Sequence, residues 1–228
     1  MPKPTALVTG ASRGIGRATA LRLSNDYDIV ATARSAGELD HLRREIEQKG
    51  GKCTAITLDL TQPDDVARAL RGVSADVLVN NAGVMSQKPF LELTPDEWHR
   101  MVDVNFNALY HVTRAVLPGM VERRRGHVVI IGSIAGRSAF VGGTCYAATK
   151  HAVAGFAECL MLEVRDSGVK VSTVNPGSVA TELSPGGSAR TWPLKSEEVA
   201  EAVAFVVAQP GNVLVHSLEL RTNTVPRK

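Results

Sequence analysis

A single α/β domain, built on a doubly wound parallel sheet of seven strands flanked by helices, is the fold this sequence predicts. Three observations predict it. Short β-branched apolar runs alternate with amphipathic stretches of helical period along the 228 residues, the pattern of β-α units joined by right-handed crossovers. Most of the runs are apolar throughout, as in parallel strands covered on both faces. A glycine-rich turn stands at the first strand-to-helix junction, at the edge where such sheets bind ligands. The length alone allows one large domain or two small ones. No repeat, low-complexity segment or linker interrupts the alternation before about residue 184, which favours one.

The elements follow in order. Thr5–Thr9 reads as the first strand and residues 14–24 as the helix behind it. Asp28–Ala33 is the second strand, and the helix over 36–49 stops at Gly50-Gly51, a strong terminator. Cys53–Leu58 precedes a helix over 63–71, and Val77–Asn80 is the fourth strand. A long helix is expected over 95–122. Thr94 serves as its N-cap, Pro95 as its first residue, and Asp96 and Glu97 as first-turn acids. His127–Gly132, a helix over 146–166 and Val169–Asn175 come next. A final helix over 196–208, capped around Lys195-Ser196-Glu197-Glu198, leads to a seventh strand at Val213–Glu219.

Composition excludes several classes. With 44% hydrophobic and 21% charged residues, the chain can fill a core and is not disordered. A net charge of +3 marks neither a nucleic-acid stripe nor a polybasic membrane patch, so neither partner is expected. The longest strongly apolar run, Val128–Ile131, is far too short to span a bilayer. Met1-Pro2-Lys3-Pro4-Thr5 lacks the apolar stretch of a signal peptide. Cys53, Cys145 and Cys159 show no metal-ligand spacing, so no metal is expected and a reducing cytoplasm is the natural compartment. Arg123-Arg124-Arg125 reads as a solvated helix end.

The chemistry concentrates after strand ends. Thr9-Gly10-Ala11-Ser12-Arg13-Gly14-Ile15-Gly16 is a turn whose backbone N–H groups can approach a pyrophosphate at a helix's positive end. Its spacing also fits a tight turn without a ligand. Arg13 lies inside the loop, and Arg34 follows the second strand where an acid would otherwise grip the ribose hydroxyls. Two guanidiniums and no carboxylate favour a 2′-phosphate, hence NADP(H) over NAD(H). Asp59-Leu60 is in reach of an adenine, and Asn80-Asn81-Ala82-Gly83 can bring backbone close to a cofactor. Ser133 ends the fifth strand. Tyr146 and Lys150 stand at i and i+4 on one helix face. An ammonium beside a phenol is expected to lower the phenol's pKa from about 10, and the serine hydroxyl can hold a carbonyl oxygen as charge builds on it. Alone, this pair better describes a surface helix; its place beside the glycine loop reverses that reading.

Together, Thr9-Gly10-x3-Gly14-x-Gly16, Asp59, Asn80-Asn81-Ala82-Gly83, Asn105, Ser133, Tyr146-x3-Lys150 and Pro176-Gly177 resemble the short-chain dehydrogenase/reductase family, in order, over roughly residues 5–182. The resemblance implies a Rossmann fold and hydride transfer between NADP(H) and a small-molecule ketone, aldehyde or hydroxy acid. Tyr146 would be the proton donor or acceptor, Lys150 would hold the nicotinamide ribose, Ser133 would orient the carbonyl, and Asn105 would fix a relay water behind Lys150. Gly10, Ser12, Arg13, Gly14, Ile15, Gly16, Arg34, Asp59, Leu60, Asn81, Ala82 and Gly83 would bind the cofactor with Tyr146 and Lys150. Pro176, Gly177 and Val179 would meet the carboxamide, with Thr181 nearby.

By the same analogy the helices over 95–122 and 146–166 would form the interface of a homodimer or homotetramer. Substrate selectivity would reside in a short lid over 178–195 containing Gly186-Gly187, Arg190 and Trp192, facing Phe140, Val141 and Gly142-Gly143, with Met85, Phe90 and Arg137 nearby. The ending Val213–Arg221 resembles the subgroup acting on 3-hydroxy acids and small carbonyls. A 3-oxoacyl-thioester reductase and a non-catalytic NADP(H) sensor are the alternatives.

Overall fold

Consecutive residues of the first strand enter opposite halves of the core. In the computed structural model, which describes residues 3–181 and 193–223, Ala6 and Val8 of β1 (Thr5–Thr9) pack on one face and Leu7 on the other. The same split recurs in β4 (Val77–Asn80) and β5 (Gly126–Ile131), where Val77, Val79, Val129 and Ile131 oppose Leu78, Val128 and Ile130. Period-2 alternation in a wholly apolar strand thus feeds two helical layers.

One layer holds α1 (Gly14–Leu23), α2 (Ala36–Gln48) and α7 (Ser196–Val207), through residues such as Leu23, Leu39, Leu42, Ile46 and Val203. The other holds α3 (Pro63–Ala69), α5 (Ala108–Glu122) and α6 (Thr144–Val164), through Val66, Val112, Val116, Val153 and Leu160. Each fully buried aliphatic side chain contributes roughly 1.5–3 kcal/mol. A smaller cluster joins Met101 of α4 (Pro95–Val102) to Ala135, Cys145 and Tyr146.

All seven strands are parallel, in the order β3-β2-β1-β4-β5-β6-β7. Here β2 is Asp28–Ala33, β3 Cys53–Thr57, β6 Val169–Pro176 and β7 Ser217–Leu220. The chain winds outward from β1 to β3, then returns to place β4 on the other side of β1. That reversal opens a crevice at the carboxyl ends of β1 and β4, the expected ligand position.

Two expectations are corrected. The seventh strand starts at Ser217, not Val213, because Val213 N–H closes a turn on Pro210 O at 2.9 Å before the chain joins β6. The long helix over 95–122 is interrupted: α4 and α5 are joined by a wider π turn at Asp103–Asn107. Arg123-Arg124-Arg125 is exposed at the end of α5, as expected, and each arginine also finds a partner. Arg123 donates to Ala75 O at 3.0 Å, Arg124 to Asp166 O at 2.8 Å, and Arg125 pairs with Asp76 at 2.6 Å.

Among the described residues no helix is long and apolar enough to cross a membrane. No group of His, Cys, Asp and Glu there is arranged to hold a metal ion. The three cysteines are free, two of them buried.

Candidate active site

The turn after β1 bends through two positive-φ glycines, Gly10 at +63° and Gly14 at +53°, a conformation L side chains reach only with strain. A Cβ on Gly10 would lie 3.0 Å from the Ala82 backbone, and one on Gly16 would collide with the carbonyl of Gly10. The loop is pinned from β4. Asn81 Nδ2 donates to Thr9 O at 2.9 Å and to Gly10 O at 3.2 Å, while Thr9 Oγ1 accepts from the N–H groups of Asn81 and Ala82 at 2.9 and 3.2 Å. Asn81 therefore clamps the glycine turn, with its amide already engaged. α1 begins at Gly14 with no side-chain cap and no acid in its first turn, which leaves its positive end facing the crevice for an anion. These features fit a pyrophosphate.

Further out, Arg34 is exposed just beyond β2, and Asp59 is exposed near the end of β3. Asp59 Oδ1 accepts from Thr61 N and Oγ1 at 3.0 and 2.8 Å. The Thr61 backbone N–H holds its carboxyl below the usual range, and the charge of Arg34 adds a smaller pull.

The residues expected to react come together where β5 meets α6. Ser133 leaves β5 with extended backbone and starts a short turn at Ile134–Gly136, its Oγ accepting from Ala135 N at 3.1 Å. α6 begins at Thr144, two residues earlier than expected, so Tyr146 and Lys150 share one face near its amino end. Both are buried. The expected lowering of the Tyr146 pKa by Lys150 is corrected here. Burial raises the phenol above its ordinary value, and the hydrogen bond with Ser133 pulls it back. Lys150 is itself pushed down by burial to about 8. Its ammonium donates to Ile131 O at 2.9 Å and lies 5.8 Å from the centre of the Tyr146 ring, within reach of the ring's negative face. The cost of charge in a buried site outweighs the favourable pairing.

Behind Lys150 is a cavity of about 10 Å³ lined by Thr9, Leu60, Asn80, Ala82, Asn105 and Ile131, among others. One water needs roughly 10–15 Å³, so the space is at the lower limit for a single water. The Asn105 side chain is already committed: Oδ1 accepts from Val84 N at 2.7 Å, and Nδ2 donates to Val84 O at 2.9 Å and Thr149 Oγ1 at 3.1 Å. The side chain fastens α6 to the strand-end loop, and its π turn widens the helix beside the cavity.

A cleft of about 530 Å³ is lined by Ser133, Tyr146 and Lys150 together with Ile15, Asn81, Gly83, Pro176, Gly177, Val179 and Thr181. Met85, Gln87, Ser138, Ala139, Phe140 and Val141 line it too. Phe140 meets the Tyr146 ring edge-on, centroids 6.4 Å apart. Gly10, Ser12, Arg13, Gly14, Gly16, Arg34 and Asp59 do not line the cleft. They stand in or beyond the β1, β2 and β3 ends, where the remote half of a dinucleotide would extend.

Phe90 and Arg137 do not line the cleft. Cys145 packs inward, its thiol donating to Trp98 O at 3.7 Å. The two ends of the expected lid are joined, Ala180 N to Leu194 O at 2.8 Å and Leu194 N to Ser178 O at 2.9 Å. Gly186-Gly187, Arg190 and Trp192 lie outside the described residues. Sequence reasoning assigned no role to Thr149 or to the hydroxyl of Thr9. Thr9 heads the glycine motif and Thr149 lies inside the Tyr146-x3-Lys150 spacing, and that position was the only available signal.

A glycine turn at the switch point of a doubly wound sheet, with a Ser-Tyr-Lys cluster one strand away, defines a dinucleotide-dependent oxidoreductase. The sequence pattern of the short chain dehydrogenase family matches residues 4–190, and the chain belongs to that family. It is 35% identical over 233 residues to the NADP-dependent 3-hydroxy acid dehydrogenase YdfG of Salmonella typhi, covering 94% of this chain and 93% of that one. Its structure is similar to that of a metagenomic short-chain oxidoreductase solved with NADP, with a TM-score of 0.87, 33% identity and 98% and 99% of the two chains covered. An alcohol dehydrogenase of the archaeon Thermococcus sibiricus, solved with 5-hydroxy-NADP, aligns at TM-score 0.90 and 30% identity, covering 99% and 100%.

Proposed function

We propose that the chain is an NADP(H)-dependent reductase of ketones and aldehydes that also oxidises the corresponding alcohols. The observation that carries this is the convergence of Ser133, Tyr146 and Lys150 in one cleft with the residues expected around a nicotinamide. Gly10, Gly14, Ile15 and Gly16 would hold the pyrophosphate, Arg13 and Arg34 the 2′-phosphate, and Pro176, Gly177, Val179 and Thr181 the nicotinamide end. The bound nicotinamide supplies or accepts the hydride.

The chain's own residues manage the oxygen and its proton. Ser133 donates a hydrogen bond to the carbonyl oxygen and fixes it beside Tyr146. The Tyr146 phenol, kept protonated by burial, gives its proton to that oxygen as negative charge develops there. Lys150 then favours the phenolate left behind, and protons return through the space bordered by Asn105. Because burial holds the phenol protonated, the site is set for reduction near neutrality. Oxidation gains as pH rises. Met85, Phe140 and Val141 make an apolar seat for the carbon substituents.

Two further expectations attach to this reading. The chain self-associates through α5 and α6, whose outer faces expose Tyr110 and Leu162. A reducing cytoplasm suits its free cysteines.

Tyr146→Phe tests the assignment. It should lower turnover of a ketone by about 10²–10⁴-fold while the fluorescence titration of NADPH changes little. Near-normal turnover would remove Tyr146 from the chemistry.

A further inference from the structure

The wall of the cleft that carries Met85 and Gln87 lies outside regular secondary structure, so something else must fix it. It is bonded to the segment that follows Phe140: Lys88 N–H donates to Gly142 O at 3.1 Å, and Gln87 Nε2 to Val141 O at 3.2 Å. Gly142 takes φ +77°, and a Cβ there would sit 3.1 Å from Gln87 Cγ, so the two segments meet closely.

The stronger restraint comes from α4. Glu97 Oε1 accepts from Ser86 Oγ at 3.0 Å and pairs with Lys88 Nζ at 2.7 Å. These are the residues on either side of Gln87. Its other oxygen accepts from Thr94 N at 3.1 Å and Thr94 Oγ1 at 3.2 Å, and Glu97 N–H donates to Thr94 Oγ1 at 3.2 Å. The Thr94 bonds form an ordinary capping box. A helix cap does not require the bonds to Ser86 and Lys88. Held down to about 2, first by Lys88 and then by the Thr94 N–H, the carboxylate stays charged across the working range.

α4 is in turn fixed to the reaction centre. Met101 packs with Tyr146, Ser86 N–H donates to Met101 Sδ at 3.4 Å, and Trp98 O receives the Cys145 thiol.

We propose that Glu97 is a positioning residue for the substrate wall: through Ser86 and Lys88 it sets Met85 and Gln87 against Phe140 and Val141, and so determines how bulky an apolar substituent the reacting carbonyl carries. This rests on reading the cleft as the pocket of a carbonyl reductase.

The test compares Glu97→Ala, Glu97→Gln and Thr94→Ala in the full chain, with NADPH and two ketones, butan-2-one and propiophenone. Thr94→Ala weakens the same helix cap but keeps the bonds to Ser86 and Lys88. Glu97→Ala should raise the KM ratio of propiophenone to butan-2-one about fivefold or more, with the loss falling on KM rather than kcat. Amide exchange at Lys88 should quicken in parallel.

Glu97→Gln, which keeps an acceptor for Ser86 but loses the ion pair, should fall between wild type and Glu97→Ala. Thr94→Ala should lower the melting temperature while leaving both readouts in place. An unchanged ratio and unchanged Lys88 exchange in both Glu97 variants would overturn the proposal, as would a Thr94→Ala shift as large as that of Glu97→Ala. If the wild type reduces neither ketone, the carbonyl-reductase reading fails, and the exchange comparison still decides whether Glu97 holds the wall.

Discussion

Arg34 and His127 show how much a single side chain decides here. Arg34 is exposed beyond β2, and its charge reaches Asp59 across the β2–β3 edge. A guanidinium there matches a 2′-phosphate, and a carboxylate would repel it. Arg34→Glu should weaken NADPH binding by about 3 kcal/mol, roughly a hundredfold in Kd, and change NADH binding little. Equal losses for the two nucleotides would place the 2′-phosphate elsewhere. His127 acts on stability instead. It is buried on β5 with Nε2 2.8 Å from Ser172 Oγ, and burial pushes its pKa down to about 4, with Lys170 adding to the effect. In the unfolded chain the ring takes its proton near pH 6.5. The unfolded state therefore binds more protons between about 6.5 and 4, and stability falls as pH drops through that window. The loss is on the order of 3 kcal/mol. Urea midpoints measured from pH 7 to 4 should fall less steeply in His127→Gln than in wild type, and parallel slopes would refute this.

At the scale of elements, the glycine turn after β1 tolerates little change. Gly16 faces the Gly10 carbonyl so closely that any Cβ forces the turn open, and overpacking of this kind costs about 1–3 kcal/mol. Gly16→Ala should therefore lose most NADPH affinity in a fluorescence titration while retaining the far-ultraviolet circular dichroism of the sheet. Retained affinity would show that the loop can shift without consequence. This loop was legible from Gly10, Gly14 and Gly16 because the need for positive φ and close approach leaves only one residue type. The strands were legible because two-sided burial demands continuous apolar runs. β7 was misplaced because Val213-Leu214-Val215 is apolar for other reasons, whereas the half-exposed edge strand Ser217–Leu220 alternates. The π turn at Asp103–Asn107 was hidden because it arises from Asn105 reaching Val84 and Thr149, contacts distant in sequence. The dominance of burial over pairing at Tyr146 was hidden for the same reason. An i, i+4 spacing reports that two groups are near each other, not what surrounds them. Glu97 was visible only as a first-turn acid, and its bonds to Ser86 and Lys88 depend on how an irregular loop folds back.

The whole molecule is closed by its last helix. α7 packs on α1, with Arg22 Nε 2.7 Å from Glu201, and its Val199, Val203 and Val206 share a core with β1, β2 and α2. The two halves of the sheet on either side of the β1–β4 seam are thereby tied together, and the chain should unfold as one cooperative unit. The residues proposed for the cofactor lie on both sides of that seam, Gly10 and Arg34 on one and Gly83 and Pro176 on the other. NADPH at a hundredfold excess over its Kd should add about 2.7 kcal/mol, which for a chain of this size raises Tm by roughly 5–10 °C. The entire calorimetric transition should move, without splitting. Arg34→Glu at the same NADPH concentration should show almost no rise. A transition that split, with only one component shifted, would mean that the cofactor grips one half and that α7 does not couple it to the other.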